Sequence, residues 1–133
     1  MRNIKYHLPV ILYAGLIFYL SSISNLPKEL PSFEGSDKII HIIEFGLFGA
    51  LIWLSVSHWN LKFKAPALII ITILLGLLYA LSDELHQYTV PGRQFDIYDL
   101  LADTIGLAVG SITFYIFRKR KGMSKQDADK TLT

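Results

Sequence analysis

The sequence contains no cysteine, and charged residues make up only 18% of its 133 residues. The absence of cysteine excludes disulfides and thiolate metal ligands. Charge is also too scarce for a soluble domain, because 52% of the residues are hydrophobic and the chain could not cover its own surface with polar groups. A formal net charge of +2 gives no argument for a nucleic-acid partner, and none is expected. We therefore expect an integral membrane protein.

Long runs with few or no charges predict membrane-spanning helices at about residues 8–26, 38–59, 66–85 and 97–117. Each run approaches the roughly 20 residues that a helix needs to cross about 30 Å of hydrocarbon. The first follows basic residues, as a signal peptide would, but it ends without an A-x-A-like cleavage site and is interpreted as a retained span. The predicted fold is all-α, a polytopic bundle of four transmembrane helices within residues 1–117. The polar residues 118–133 are predicted to form a disordered tail.

Lysine and arginine concentrate on one side of this topology, at the N-terminus, in the connection around Lys62 and in the tail after Phe117. The positive-inside rule makes that side cytoplasmic, so both termini are predicted to lie in the cytoplasm. The two other connections carry acidic residues, among them Glu29, Glu34 and Asp37. A rise of about 1.5 Å per helical residue brings ionisable residues of the last three spans to one level in the outer third of the membrane. The sequence therefore predicts an extracytoplasmic polar chamber.

Ionisable side chains within a membrane are costly, so those of the predicted chamber are candidates for function. Residues three, four or seven apart share one side of a helix, and by this rule the polar residues of the second and fourth spans form two inward stripes. The candidates for acid and base work are His41, Glu44, Asp83, Glu84, His86 and Asp103. The candidates for substrate binding are Lys38, Gln87, Arg93, Asp96 and Asp99. The alternative is that such groups, as His41 with Glu44 or Arg93 with Asp99, only neutralise one another and fix the helix register.

Glycines below the predicted chamber indicate close helix packing. Gly106 and Gly110 form a small-xxx-small step on the fourth span, which lets another helix approach closely. Gly46 and Gly49 on the second span and Gly76 on the third support the same prediction.

The segment VPGRQF joins the third and fourth spans. Pro91 and Gly92 predict a tight turn, because proline restricts the backbone and glycine tolerates positive φ. Arg93 is then expected to lie over the chamber mouth. A planar guanidinium suits bidentate capture of phosphate or carboxylate, so the expected partners are membrane lipid, an anionic lipid headgroup or a lipid-linked precursor.

The segments SDELHQYTVPGR and FDIYDLLADTIGLAVG together resemble the signature of the VanZ-like family, small bacterial membrane proteins named after an accessory determinant of teicoplanin resistance. DKIIHIIEFGLFGAL resembles the family's second-span motif, and FYLSS its first-span ending, so the resemblance extends from Phe18 to Gly110. It implies a multi-pass protein of the bacterial cytoplasmic membrane with a role in the cell envelope, and glycopeptide antibiotic resistance is one such role. Asp103 departs from the pattern, because the family more often has Asn there.

The candidate residues leave three functions open. The chain could be an enzyme acting on an outer-leaflet lipid or envelope precursor, a protein that binds a lipid or lipoglycopeptide without chemistry, or a structural bundle whose polar layer only specifies packing. No HExxH-like spacing or other recognised metal motif occurs, so no cofactor is evident. The polar layer nevertheless offers nitrogen and oxygen ligands for a divalent metal.

Overall fold

In the computed structural model, the described residues are 4–24, 35–59 and 62–130, with side chains as far as residue 122. They form the helices α1 (Ile4–Ser21), α2 (Ser36–Val56), α3 (Ala65–Gln87) and α4 (Ile97–Lys130). All four are long and apolar enough to cross a membrane, α4 over Ile97–Gly122. No strand occurs in the described ranges. The predicted all-α bundle of four transmembrane helices is confirmed, and the chain is a multi-pass membrane protein.

The described part of α1 includes Ile4, ahead of the predicted start at residue 8, and this end of the helix packs on the end of α2. The Tyr6 ring stacks on His58 with the ring centroids 3.5 Å apart, and His7 Nδ1 lies 2.7 Å from Ser55 Oγ. The bounds of α2 and α3 agree with the predicted spans to within three residues. The predicted end of the first span, at residue 26, and the acidic residues Glu29 and Glu34 of the first connection lie outside the described residues, whereas Asp37 lies in the first turn of α2.

The end of α4 differs from the sequence prediction. The polar composition after Phe117 predicts a disordered tail, whereas the structure continues α4 to Lys130. Lysine, arginine, glutamine and alanine are all good helix formers, so a polar composition by itself does not end a helix that is already nucleated. Residues 131–133 lie outside the described part of the chain.

α2 is the central helix, and its most extensive contact is with α4. The two backbones approach closely at the predicted small-xxx-small step, where a Cβ on Gly106 would lie 2.5 Å from Ile42 O and a Cβ on Gly110 would collide with the Gly46 backbone. α1 packs on α2 and α3, and among the described residues it makes no close contact with α4. One side of the bundle is therefore tight and the other, at α1, is looser.

The apolar core lies along the inner faces of all four helices. Leu107 of α4 is fully buried against Gly49 of α2 and Gly76 of α3, where a larger side chain would meet it. The buried apolar cluster consists of Ile17, Phe45, Phe48, Ile52, Val56, Ala80 and Leu107. Most other large apolar side chains are exposed on the outside of the bundle, as expected for a lipid-facing surface.

The chain turns back after α3 at the predicted Pro-Gly step. Gly92 has a φ of 84°, in the left-handed region that glycine adopts without strain. The Arg93 backbone N–H donates a hydrogen bond to Val90 O at 3.1 Å, which closes the turn. The turn thereby places Arg93 above the ends of α1 and α3.

Candidate functional site

Buried polar residues from three helices meet at the end of the bundle nearest this turn. His41 Nδ1 of α2 lies 2.8 Å from Asp103 Oδ1 of α4. Both Asp103 and Glu84 of α3 are 1% exposed. One ligand atom from each of His41, Glu84 and Asp103 can be chosen so that all three lie within 4.8 Å of one another. We call these three residues the triplet.

Lys38 neutralises the acidic start of α4. Its ammonium donates to Asp96 Oδ2 at 2.6 Å, lies 3.0 Å from Asp37 Oδ2 and also contacts Asp99 Oδ1. The hydrogen bond from Lys38 holds the pKa of the Asp96 carboxyl below its ordinary value. His41 Nε2 lies 3.7 Å from the same Asp99 oxygen. This ion-pair network joins α2 to α4 and fixes their register.

Asp83 is satisfied by neutral partners. It is buried, and its two carboxylate oxygens accept hydrogen bonds from Ser21 Oγ at 2.7 Å and from Gln87 Nε2 at 2.9 Å. Arg93 donates to Gln87 Oε1 at 3.4 Å. The chain of contacts connects the end of α1 to α3 and to the turn that follows it.

A cavity of about 440 Å³ lies between α1, α2 and α3, under the turn. The side chains that line it are Tyr13, Ile17, Leu20, Ser21, Ile40, His41, Ile43, Glu44, Asp83, Gln87 and Arg93. Ile43 and Ile40, on its wall, are 67% and 43% exposed on the outside of the bundle. The cavity therefore opens beside α1, toward the region that lipid occupies, and its mostly apolar lining is interrupted by polar side chains of α2 and α3.

Two charged groups in this cavity lack a charged partner. Arg93 forms no salt bridge with any described residue, and its guanidinium makes only long hydrogen bonds to the carbonyl oxygens of Ile23, at 3.3 Å, and Leu20, at 3.5 Å, and to Gln87. The Glu44 carboxylate accepts no hydrogen bond from the described residues, although the side chain is half-buried. The cavity thus presents a cation at its mouth and an anion deeper inside.

The predicted site residues divide by position. His86 lies apart from the others, with Nε2 2.9 Å from Ser22 Oγ and its ring stacked on Phe18 at 4.5 Å between centroids. The cavity is lined by His41, Glu44, Asp83, Gln87 and Arg93. The layer behind it contains Lys38, Glu84, Asp96, Asp99 and Asp103.

The family model described as VanZ/LLP1 matches residues 6–118 of the chain, which is most of its length. The chain belongs to the VanZ/LLP1 family. The match begins in α1 and ends in α4, so it contains α2 and α3 completely, nearly all of α1 and the first part of α4. No curated protein and no solved structure matches the chain.

Sequence reasoning missed the part of this VanZ/LLP1 domain that α1 contributes to the cavity. Tyr13 and Ile17 line it, and the Tyr13 hydroxyl donates to Glu44 O at 3.2 Å. The signal was present, because Tyr13, Ile17 and Ser21 are spaced four apart and therefore share one face of the helix. The apolar character of the whole run concealed that face.

Proposed function

We propose that this VanZ/LLP1 protein binds the phosphate-bearing headgroup of a membrane amphiphile in the cavity beside α1. The observation that carries the proposal is the unpaired guanidinium of Arg93 at the mouth of a cavity that opens toward lipid. An exposed apolar opening alone would suit any acyl chain. The cation above it selects an amphiphile with an anionic head.

The size of the cavity fits a headgroup and not a whole lipid. Its volume of about 440 Å³ lies in the lower half of the roughly 300–1,000 Å³ of small-molecule sites. The acyl chains would therefore stay in the bilayer, leaving the cavity past Ile40 and Ile43 on the α1 side of α2. A site with this shape needs a lateral opening, and the loose packing of α1 supplies one.

The polar groups of the cavity favour a headgroup that carries a phosphate and also hydroxyl or amine hydrogen-bond donors. A guanidinium forms two parallel charge-assisted bonds with a phosphate, which are stronger than the long bonds that Arg93 makes to carbonyl oxygens here. Glu44, deeper in the cavity, would accept bonds from the donors of the headgroup. Phospholipids and lipid-linked envelope precursors both combine these features.

Chemistry on a bound headgroup would rest on the acid and base candidates that line the cavity, which are His41, Glu44 and Asp83. Glu84, His86 and Asp103 are not on its wall. A lipoglycopeptide, which combines an acyl chain with a polar head, belongs to the same ligand class. A teicoplanin-type resistance role would follow if such a drug occupied the cavity.

The second candidate is a purely structural polar layer, and the Lys38 network favours it for one part of the site. Lys38 is paired with Asp37 on its own helix and with Asp96 and Asp99 at the start of α4, so it ties one helix to the other, as a register-fixing role requires. That reading does not account for Arg93 and Glu44, neither of which forms a salt bridge with a described residue. The two roles are therefore assigned to different residues.

Native mass spectrometry of the purified full-length protein in detergent tests the proposal. Phosphatidylglycerol is titrated against diacylglycerol with the same acyl chains, so that only the phosphate-bearing headgroup differs. We expect tighter binding of phosphatidylglycerol, weakened about 10-fold by Arg93→Lys, which keeps the charge but removes the planar fork. The matched control is Arg118→Lys on the exposed surface of α4, which should change nothing.

Equal retention of the two lipids would refute the proposal, and so would equal effects of Arg93→Lys and Arg118→Lys. Thermal unfolding of each variant is measured alongside. A loss of binding that only follows a loss of folded protein would assign Arg93 to the scaffold.

A further inference from the structure

The polar layer behind the cavity carries more negative charge than its own cations neutralise. Lys38 is committed to Asp37, Asp96 and Asp99. Asp83 is satisfied by neutral donors and needs no cation. The carboxylates of the triplet, Glu84 and Asp103, are left with the imidazole of His41 as their one nearby described base.

The carboxylate of Glu84 is only partly satisfied by the protein. Its Oε2 accepts a hydrogen bond from the Asp96 backbone N–H at 3.2 Å, while its Oε1 is buried and has no hydrogen-bond partner among the described residues. A buried oxygen without a partner costs about 1–3 kcal/mol in general, and more when it is charged. Such an atom in a native protein calls for a ligand.

The geometry of the triplet suits a metal ion. Metal ligands at about 2.0–2.2 Å from an ion lie at most about 4.4 Å from one another. The chosen ligand atoms of His41, Glu84 and Asp103 lie within 4.8 Å of one another. Side-chain movements of up to about 1 Å would bring them to the roughly 3.5 Å that separates two ligands of a tetrahedral site. The ligands come from α2, α3 and α4, which are held together by the close glycine contacts below them.

We infer that His41, Glu84 and Asp103 bind a divalent cation, with one nitrogen and two carboxylate oxygens as its protein ligands. A nitrogen and oxygen set of this kind favours Zn²⁺ or Mn²⁺, because imidazole prefers the later transition metals and carboxylate alone would suit Mg²⁺ or Ca²⁺. Three protein ligands leave a coordination position open, as in catalytic zinc sites. His41 lies on the cavity wall, so that open position would adjoin the cavity.

The cation site does not depend on the proposed amphiphile binding. It needs neither Arg93 nor the lateral opening, and it shares only His41 with the cavity wall. Its test uses no lipid, so the two proposals can fail separately.

The experiment uses the untagged full-length chain in detergent, dialysed against EDTA and titrated with ZnCl₂ or MnCl₂. Bound metal per chain is measured by mass spectrometry of the elements after gel filtration, and thermal unfolding is followed in parallel. We expect one retained equivalent and a raised unfolding midpoint. Glu84→Gln and Asp103→Asn should each weaken retention at least about 10-fold, since even loss of an outer-shell contact costs about that much.

Glu44→Gln is the matched control, because it removes a half-buried carboxylate one helical turn from His41 without touching the triplet. Glu84→Gln should fold, since the amide keeps an oxygen to accept the Asp96 N–H. The inference is overturned if the parent protein retains no stoichiometric cation, as expected if protonated His41 simply pairs with Asp103. It is also overturned if both triplet variants retain the cation as well as Glu44→Gln does.

Discussion

Replacing Gly106 by alanine should separate the two helices that carry most of the polar layer. The new Cβ would lie 2.5 Å from Ile42 O and 2.9 Å from Gly46 N, whereas ordinary contact begins at 3.4 Å. The two backbones would therefore have to part by about 1 Å. Both neighbours are backbone atoms, so no side chain can rotate away, and we expect the upper end of the roughly 1–3 kcal/mol cost of overpacking.

The effect should reach the site, because Asp103 and Gly106 lie on one face of α4, facing α2. A separation of about 1 Å would break the 2.8 Å contact between His41 and Asp103. Unfolding by SDS is followed through Trp53, whose ring lies 5.8 Å from Phe114 across the α2 and α4 contact, in a Trp59→Phe background that removes the second tryptophan.

Gly15→Ala is the control, because nothing lies within 4 Å of a Cβ at that position. Alanine favours the helix over glycine by about 0.5–1 kcal/mol, so Gly15→Ala should be neutral or slightly stabilising. The reasoning is refuted if Gly106→Ala is no less stable than the parent, or if Gly15→Ala loses as much.

Two further predictions concern charge and orientation. The hydrogen bond from Lys38 lowers the pKa of Asp96 from its ordinary 3.8, so this carboxylate stabilises the fold above about pH 4 and the contribution is lost as the pH falls through the lowered value. The difference in unfolding midpoint between the parent and Asp96→Asn should accordingly narrow as the pH falls below about 4, and a difference that does not change between pH 5 and pH 2 would contradict it. For orientation, an impermeant maleimide applied to intact cells should label a cysteine at exposed Thr89 and spare one at Lys62, at the opposite end of α3. Labelling of Lys62→Cys alone would reverse the topology.

The architecture could be predicted from the sequence because it depends on the average hydropathy of runs of about 20 residues and not on single side chains. Four apolar runs of spanning length fix four helices, and the glycines at 106 and 110 fix the closest contact between them. The hydrogen-bond partner of each side chain depends on the rotation of its helix and on its rotamer. Periodicity only indicates which face of the helix a residue lies on. The sequence therefore left open a pair of His41 with Glu44, whereas the structure pairs His41 with Asp103. For the same reason the sequence analysis grouped His86 with the chamber residues, whereas in the structure His86 faces away from the cavity and contacts Ser22.

The structural and functional roles of the polar layer can be distinguished by asking which charged groups have a partner within the protein. Where a cation is paired with carboxylates, as Lys38 is with Asp96 and Asp99, the ion pairs stabilise the contact between α2 and α4. Where a buried oxygen is left without a partner, as at Glu84 Oε1, the protein bears a desolvation cost that packing does not offset. A bound ligand would offset that cost. Arg93 holds its guanidinium at the cavity mouth without a salt bridge to a described residue. The unmatched charges, and not the number of polar residues, are therefore what argue for a functional site at this end of the bundle.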